Sequence, residues 1–402
     1  MRWGLAAAIF LFGALTIDTE SLKWGLLGIT VFSIPLALQL TNNKSVHIWA
    51  LWGGCFLILQ TLVTPVAINP DFKTLPPNAR QIVDIKAGIP GISGQQLITT
   101  DAKGFRATKN VDYSSDKSYR IFAIGGSTTE QIYLDDKKTW THLLQEYLSR
   151  TSSLDVEVIN TGVSGLRAKH HLATLESVAH LHPNMAIFLL GINDWDYHIE
   201  NSFSTRGEKS KLAEYREKLI FRETMMGNAI LQAFNALKRA SEKPRPLIKE
   251  EYGEYYSRQR GSLNREITHI FYPDAVQQSY KDYLVEISAT CHANNIRCLF
   301  VTQPTGYKNT ASEEYKKGFW MTPPDQSYTL DFESMVAIAN LYNTYLIQFS
   351  KSNNHNICDA ASELAPSYNN FYDDCHLNIE GARRLSKIIG KCIGNVAAQH
   401  HT

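Results

Sequence analysis

The chain has 402 residues, and its 40 Lys and Arg balance 39 Asp and Glu to a net charge of +1. Because no excess of positive charge creates a large attractive field, the composition argues against a nucleic-acid partner. Hydrophobic residues make up 44% of the sequence, which is enough for one large domain beside a membrane segment.

The N-terminal part contains three stretches without Asp, Glu, Lys or Arg. The third, Ile48–Ile68, is long enough to cross a bilayer, which takes about 20 residues. The other two, Trp3–Ile17 and Trp24–Leu38, are shorter, and a cleaved signal peptide is the alternative interpretation of the first. We predict that residues 1–69 form an anchor of three transmembrane helices in the lipid bilayer.

The charges that flank these stretches predict the orientation of the anchor. Arg2 and Lys44 would lie on one side of the membrane, whereas Asp18 and Glu20 would lie on the other. Because cytoplasmic loops favour Lys and Arg, the chain after Pro70 is expected outside. The sequence therefore predicts a multi-pass protein of the cell (inner) membrane whose larger part faces the periplasm or the cell exterior.

Residues 70–118 are rich in Pro, Gly and polar residues, which is typical of a linker. Within them, Leu97–Arg106 is predicted to form a short hairpin. Residues 119–402 are predicted to form one α/β domain with an insertion at about 196–273. This insertion carries many tyrosines and charges, so it is interpreted either as a lid or substrate platform or as an exposed helix.

Three short apolar runs in this domain each end in a turn that contains glycine. Ser127 follows the first run, Gly165 lies in the turn after the second, and Asn193 follows the third. Because the carboxyl ends of parallel strands meet at one edge of a sheet, we expect these residues to lie close together. Taken singly, the turn at Ser127 and the turn at Asn193 could instead be helix N-caps. The runs are Tyr119–Gly125, Val156–Asn160 and Ala186–Leu190.

The residues of a nucleophilic serine site are completed near the C-terminus. A serine hydroxyl needs a neighbouring base, and His376 is the candidate base for Ser127. Asp373 lies three residues before His376, close enough to orient the imidazole and stabilise its cation. Asp374 is the competing carboxylate.

These motifs, in this order, resemble the blocks of the SGNH (GDSL-like) hydrolase family from about residue 119 to the C-terminus. The resemblance implies a three-layer α/β/α domain with a five-stranded parallel sheet, a flavodoxin-like arrangement. It implies Ser127 as nucleophile and, from the Asp-x-x-His spacing, Asp373 rather than Asp374. It also implies an oxyanion hole of the Ser127 and Gly165 backbone N–H groups and the Asn193 side chain.

The first block departs from the family pattern at one position. Gly126 stands where many members have Asp, within the run Gly-Gly-Ser-Thr-Thr. That Asp is not a triad member, so the departure leaves the expected chemistry intact but weakens a link to the lipase-like branch.

Three further residues are candidates for substrate binding because of where they fall in the sequence. Arg167 comes just after Gly165, Gln303 follows a predicted strand, and Trp320 lies in an aromatic, Pro-containing loop. No metal site and no cofactor are predicted, since the adjacent histidines 170 and 171 would point to different faces of a helix.

Five cysteines follow the predicted anchor, and an oxidising compartment permits disulfides among them. The preferred pair is Cys358–Cys375, which would tie a strand end to the loop that carries His376. The alternative is that all five stay reduced.

The sequence therefore predicts a membrane-anchored serine esterase that hydrolyses small acyl esters, most plausibly O-acetyl groups, on an extracytoplasmic carbohydrate. Two alternatives stay open. An O-acyltransferase acting on an exported polysaccharide would use the same triad, and a non-catalytic membrane scaffold in polysaccharide assembly could keep the fold.

Overall fold

A computed structural model describes most of the chain after residue 68. The predicted membrane anchor, Trp320 and most of the predicted insertion lie outside the described residues. Among the helices that are described, none is long and apolar enough to cross a membrane. The described residues are 69, 71–106, 111–114, 117–152, 154–203, 247–248, 254, 268–319 and 329–399.

Five parallel strands form the central sheet. Their apolar runs are buried on both faces, as expected for parallel strands covered by helices. The prediction of an α/β fold with a five-stranded parallel sheet is confirmed. In their order across the sheet, the strands are β4 (Val156–Asn160), β3 (Tyr119–Gly125), β5 (Met185–Leu189), β7 (Arg297–Val301) and β9 (Asn356–Cys358).

Helices follow or separate these strands and pack in pairs, α2 with α9, α3 with α5, and α4 with α7. Thr139 and Asp331 cap α2 and α7 through their side chains. The longer helices are α2 (Trp140–Thr151), α3 (Ala168–Val178), α4 (Ile192–Phe203), α5 (Gln278–Ala293), α7 (Phe332–Ser352) and α9 (Ile379–Gln399). Three further helices are single turns, α1 (Ser127–Glu130), α6 (Glu313–Lys316) and α8 (Ala360–Glu363). Outside the central sheet, β6 (Thr268–His269) pairs with β8 (Thr329–Leu330).

An antiparallel hairpin precedes the sheet and packs against the main core. Its strands are β1 (Arg80–Ile89) and β2 (Ile92–Thr99), and Ile85, Ile89 and Ile92 belong to the core cluster. The hairpin therefore starts earlier than predicted. The segment Leu97–Arg106 supplies only the end of β2 and a bridge between Thr100 and Arg106.

Arg106 fastens this hairpin region to the chain segment that follows Ser127. Its guanidinium is buried and donates to the backbone carbonyls of Glu130, Gln131 and Leu134. It also pairs with the Asp136 carboxylate at 2.8 Å, and that carboxylate accepts from the backbone N–H of Thr99. Every donor of this buried cation thus meets an acceptor in the segment between Glu130 and Asp136.

The disulfides differ from the predicted pairing. Cys358 bonds to Cys392, and Cys291 bonds to Cys298, whereas Cys375 is a buried free thiol. The prediction of Cys358–Cys375 was wrong because helix α9 packs beside β9 and brings Cys392 to Cys358. The thiol of Cys375 instead lies 3.3 Å from Nδ1 of His376.

Candidate active site

The three strand-end residues come together at the carboxyl edge of the sheet. Ser127 begins α1 directly after β3, and Asn193 lies in the first turn of α4 after β5. Gly165 follows β4, which pairs with β3 on the side opposite to β5. The spacing of the three predicted motifs therefore corresponds to three neighbouring strands.

Ser127, His376 and Asp373 form a continuous chain of hydrogen bonds. The Ser127 Oγ lies 2.8 Å from Nε2 of His376, and Nδ1 of His376 lies 2.7 Å from Oδ2 of Asp373. An imidazole whose Nδ1–H donates to a carboxylate leaves Nε2 free to accept the serine proton. The structure brings together the three predicted triad residues across 249 positions of sequence.

The Asp373 turn is built so that the carboxylate stays ionised. Its Oδ1 accepts from the backbone N–H groups of Cys375 at 3.0 Å and His376 at 2.7 Å. Burial alone would favour the neutral acid, but the neighbouring imidazole and these donors hold the pKa of Asp373 below its usual range.

His376 is held in an environment that favours its cation. Burial alone would lower its pKa, but the carboxylates of Asp373, Asp374 and Glu130 raise it above the usual histidine value. The ring of Tyr372 stacks on the imidazole with an interplanar angle of 8°. The imidazole therefore has a fixed orientation and a stabilised positive charge.

The predicted oxyanion donors are open to solvent at the same edge. Ser127 and Asn193 are half-buried and Gly165 is exposed. The Asn193 amide donates one hydrogen to the carbonyl of Leu166 at 2.8 Å, and an amide nitrogen carries a second hydrogen. Gly165 has φ of +77°, a conformation that L side chains adopt at a cost, so its backbone itself requires glycine.

The departure at Gly126 has a steric reason in this structure. A Cβ atom built there would lie 2.5 Å from the Asn193 Nδ2. A side chain at this position would therefore displace the Asn193 amide from its place beside Ser127. Glycine at position 126 lets the amide approach the main chain closely.

Two buried carboxylates near the site were not foreseen from the sequence. Glu130 accepts from the backbone N–H and the hydroxyl of Ser164, and Asp194 accepts from the backbone N–H of Ala168 at 3.0 Å. Both acids stand within three residues of a predicted site residue, which is the one signal that the sequence offered. Burial raises the pKa of Asp194 to about 7.

The structure describes two of the three predicted substrate-binding residues, and they lie in different surroundings. Arg167 is half-buried, and its guanidinium lies 3.6 Å from the ring centroid of Tyr197. Gln303 is 2% exposed and accepts from the Thr128 hydroxyl at 3.2 Å, so it supports α1 from within the core. Trp320 lies outside the described residues.

One group of potential metal ligands occurs in the described part of the chain. Asp373, Cys375 and His376 offer ligand atoms within 4.8 Å of one another. However, the carboxylate and imidazole are already bonded to each other, and burial raises the pKa of the Cys375 thiol well above its usual value. A protonated thiol is a poor ligand, so the arrangement suits a proton relay better than a metal centre.

Comparison with known proteins identifies a family whose model matches most of the domain. A model described as the GDSL-like Lipase/Acylhydrolase family matches residues 123–384. No curated protein matches the sequence.

Several solved structures are similar at low sequence identity. An acetyl xylan esterase is 14% identical, with a TM-score of 0.39, and the match covers 68% of this chain and 99% of that one. An acetylxylan esterase from Geobacillus stearothermophilus is 13% identical, with a TM-score of 0.38 and coverage of 70% and 97%. A GDSL-like lipase from Bacteroides thetaiotaomicron is 12% identical, with a TM-score of 0.37 and coverage of 71% and 93%.

Proposed function

Because the chain belongs to the GDSL-like lipase/acylhydrolase family and is a serine ester hydrolase, we propose that Ser127, His376 and Asp373 are its catalytic triad. The observation that carries this proposal is the pair of hydrogen bonds from Ser127 Oγ to Nε2 and from Nδ1 to Asp373, at 2.8 and 2.7 Å. These distances match those required of a nucleophile, its base and the group that orients the base.

In the first half of the proposed reaction, the Ser127 Oγ attacks the ester carbonyl carbon while Nε2 of His376 accepts the hydroxyl proton. The tetrahedral intermediate collapses, the carbon–oxygen bond to the alcohol breaks, and Nε2 returns the proton to the departing oxygen. In the second half, water attacks the acyl-enzyme, His376 again takes the proton and then gives it to Oγ, and the carboxylic acid leaves.

Negative charge develops on the former carbonyl oxygen in both halves. The Ser127 and Gly165 backbone N–H groups and the second amide hydrogen of Asn193 are the proposed donors to it. Each donor of this kind is worth about 3–4 kcal/mol of transition-state stabilisation. The hydrogen bond from Asn193 to Leu166 supports this role because it fixes the amide plane.

We further propose that the substrate is a small acyl ester, an O-acetyl group on a carbohydrate outside the cytoplasm. The N-terminal stretches without charged residues favour a membrane anchor, and the flanking charges favour an outside domain. The two disulfides favour the same side, since disulfides persist in oxidising compartments.

Covalent labelling by a fluorophosphonate probe tests the triad. The wild-type protein should label and Ser127→Ala should not, because the probe reacts with an activated serine. Ser164→Ala is the control, since Ser164 is a second serine beside the same site whose hydroxyl donates to Glu130 rather than to a base, and this variant should still label. Absence of labelling in the folded wild-type protein would refute the proposal.

Two measurements test the substrate and the location. Release of acetate from acetylated xylan, chitin fragments or peptidoglycan, compared with short p-nitrophenyl esters, would identify the alcohol. A C-terminal reporter that is active only outside the cytoplasm should function, and activity of a reporter that works only inside would reverse the proposed topology.

A further inference from the structure

Glu130 is a buried carboxylate that makes no hydrogen bond to the triad, although its charge contributes to the raised pKa of His376. It is the last residue of α1, the single turn that begins with Ser127, and it is 4% exposed. Its Oε2 accepts from the backbone N–H of Ser164 at 2.6 Å and also from the Ser164 hydroxyl. One oxygen atom therefore holds both donors of the residue that precedes Gly165.

The same turn is joined to the Gly165 loop at a second point. The Asn160 side chain donates to the carbonyl of Thr129 at 2.7 Å, and its oxygen accepts from the backbone N–H of Gly162 at 2.9 Å. Asn160 and Glu130 thus hold the two ends of the loop between β4 and Gly165. Backbone N–H groups of Thr161 and Val163 also donate to β3, so these side chains add to main-chain contacts at the start of the loop.

This arrangement bears on the oxyanion hole. Gly165 contributes its backbone N–H through the peptide that links it to Ser164. Fixing the Ser164 N–H and hydroxyl fixes the Cα from which that peptide leaves, so its orientation is limited to rotation about one bond. Ser127 contributes the other backbone N–H from the turn that carries Glu130. Glu130 therefore connects the two main-chain donors that must point to one oxygen atom.

We propose that Glu130 is a positioning residue that sets the Gly165 backbone N–H relative to Ser127 through its two hydrogen bonds to Ser164. The inference rests on the proposed oxyanion hole and goes beyond it, because it assigns the accuracy of that hole to a residue outside the four family motifs.

The burial of this side chain supports a role beyond packing. A buried carboxyl group is costly to maintain, and burial raises the pKa of Glu130 above its usual value. An apolar side chain would fill the same space without that cost. The carboxyl oxygen can accept from Ser164 in either protonation state, so the proposed contact does not depend on the charge.

The test compares Glu130→Ala, Glu130→Gln and Ser164→Ala. Active sites are titrated to completion with a fluorophosphonate probe, and kcat for a p-nitrophenyl ester is then expressed for each titrated site. Glu130→Ala should lower this kcat about 10- to 100-fold with little change in KM, since misplacing one oxyanion donor mainly affects the transition state. Glu130→Gln keeps an accepting oxygen and should recover kcat to within about threefold of wild type. Ser164→Ala, which keeps the backbone contact, should lose about twofold to fivefold.

Different outcomes would overturn different statements. A Glu130→Ala variant with an unchanged kcat per titrated site, or a Glu130→Gln variant as impaired as Glu130→Ala, would overturn the positioning role. If Glu130→Ala does not fold, the other two variants provide the test. An unimpaired Ser164→Ala variant together with a reduced kcat in Glu130→Gln would also contradict the positioning role. A folded wild-type protein that neither reacts with the fluorophosphonate probe nor hydrolyses the ester would instead refute the proposed function itself.

Discussion

The two sides of the active site are held in place by different means. On the histidine side, Asp373 and His376 belong to one short turn, and the carboxylate accepts backbone N–H groups of that same turn. On the oxyanion side, Ser127, Gly165 and Asn193 come from three different strand ends. The first side is a local structure, whereas the second depends on contacts between distant parts of the chain.

This difference shows which kind of error each side tolerates. A turn that satisfies its own backbone donors keeps its geometry when neighbouring elements shift slightly. A hole assembled from three loops keeps its geometry only if side chains such as Glu130 and Asp194 join those loops. Substitutions on the histidine side remove the base or the group that orients it, so we expect them to abolish the reaction. Substitutions on the oxyanion side remove or misplace one of several donors, so we expect them to weaken the reaction by degrees.

The largest effect is expected for Asp373→Asn. Its oxygen could still accept the two backbone N–H groups, but its amide would face Nδ1 and force the imidazole to the tautomer that cannot accept the Ser127 proton. We expect kcat to fall about 10³- to 10⁴-fold, measured with p-nitrophenyl acetate.

The matched control for that variant is Asp374→Asn. The Asp374 carboxylate accepts from the Tyr307 hydroxyl at 2.5 Å, so its change should cost less than about tenfold in kcat. A greater loss in Asp374→Asn than in Asp373→Asn would show that the wrong carboxylate has been assigned to the triad.

A smaller loss is expected for Asn193→Ala on the oxyanion side. Removal of one donor should lower kcat about 10²- to 10³-fold with little change in KM. An effect confined to KM would assign Asn193 to substrate binding instead.

Gly126→Ala gives an independent way to disturb the same amide. Its new Cβ would displace the Asn193 Nδ2, and we expect kcat to fall about tenfold. Because both changes act on one group, the double variant with Asn193→Ala should be no slower than Asn193→Ala alone. Multiplicative losses in the double variant would show that Gly126 acts elsewhere.

The smallest effect concerns stability rather than rate. Burial raises the pKa of Asp194 to about 7, so the folded protein keeps a proton that the unfolded chain releases near pH 4. The free energy of unfolding should therefore fall as the pH rises from about 4 to about 7. Asp194→Asn, which keeps an oxygen for the Ala168 N–H, should reduce this slope by up to about 1.4 kcal/mol per pH unit, measured by urea unfolding.

Asp196 complicates that measurement in a defined way. Burial, together with Glu200 and Asp374, raises the pKa of Asp196 to about 7 as well. A residual slope in Asp194→Asn is therefore expected, whereas an unchanged slope would contradict a buried, proton-retaining Asp194.

The sequence predicted the parts of the molecule that repeat a pattern. Apolar runs followed by glycine turns predicted the parallel sheet, which is confirmed, and the family that the motifs resembled is confirmed by the family model. The Asp-x-x-His spacing placed Asp373 in contact with His376. These features are local or periodic, so they leave a signal in one sequence.

Contacts set by packing left no such signal. The disulfide partner of Cys358 depends on where helix α9 crosses β9, which spacing alone does not determine. The hairpin was placed too late because its first strand, Arg80–Ile89, mixes charged and apolar residues without a clear boundary. Glu130 had no motif of its own, since its importance depends on meeting Ser164.

The buried guanidinium of Arg106 limits how far the protein can be truncated from its N-terminal side. The family match begins at residue 123, which invites trimming to that point. Trimming there would leave the Asp136 carboxylate and the carbonyls of Glu130, Gln131 and Leu134 enclosed without their cation, a loss of several kcal/mol. A fragment that keeps these contacts must therefore include Arg106, and the core residues of the hairpin favour a start ahead of Arg80.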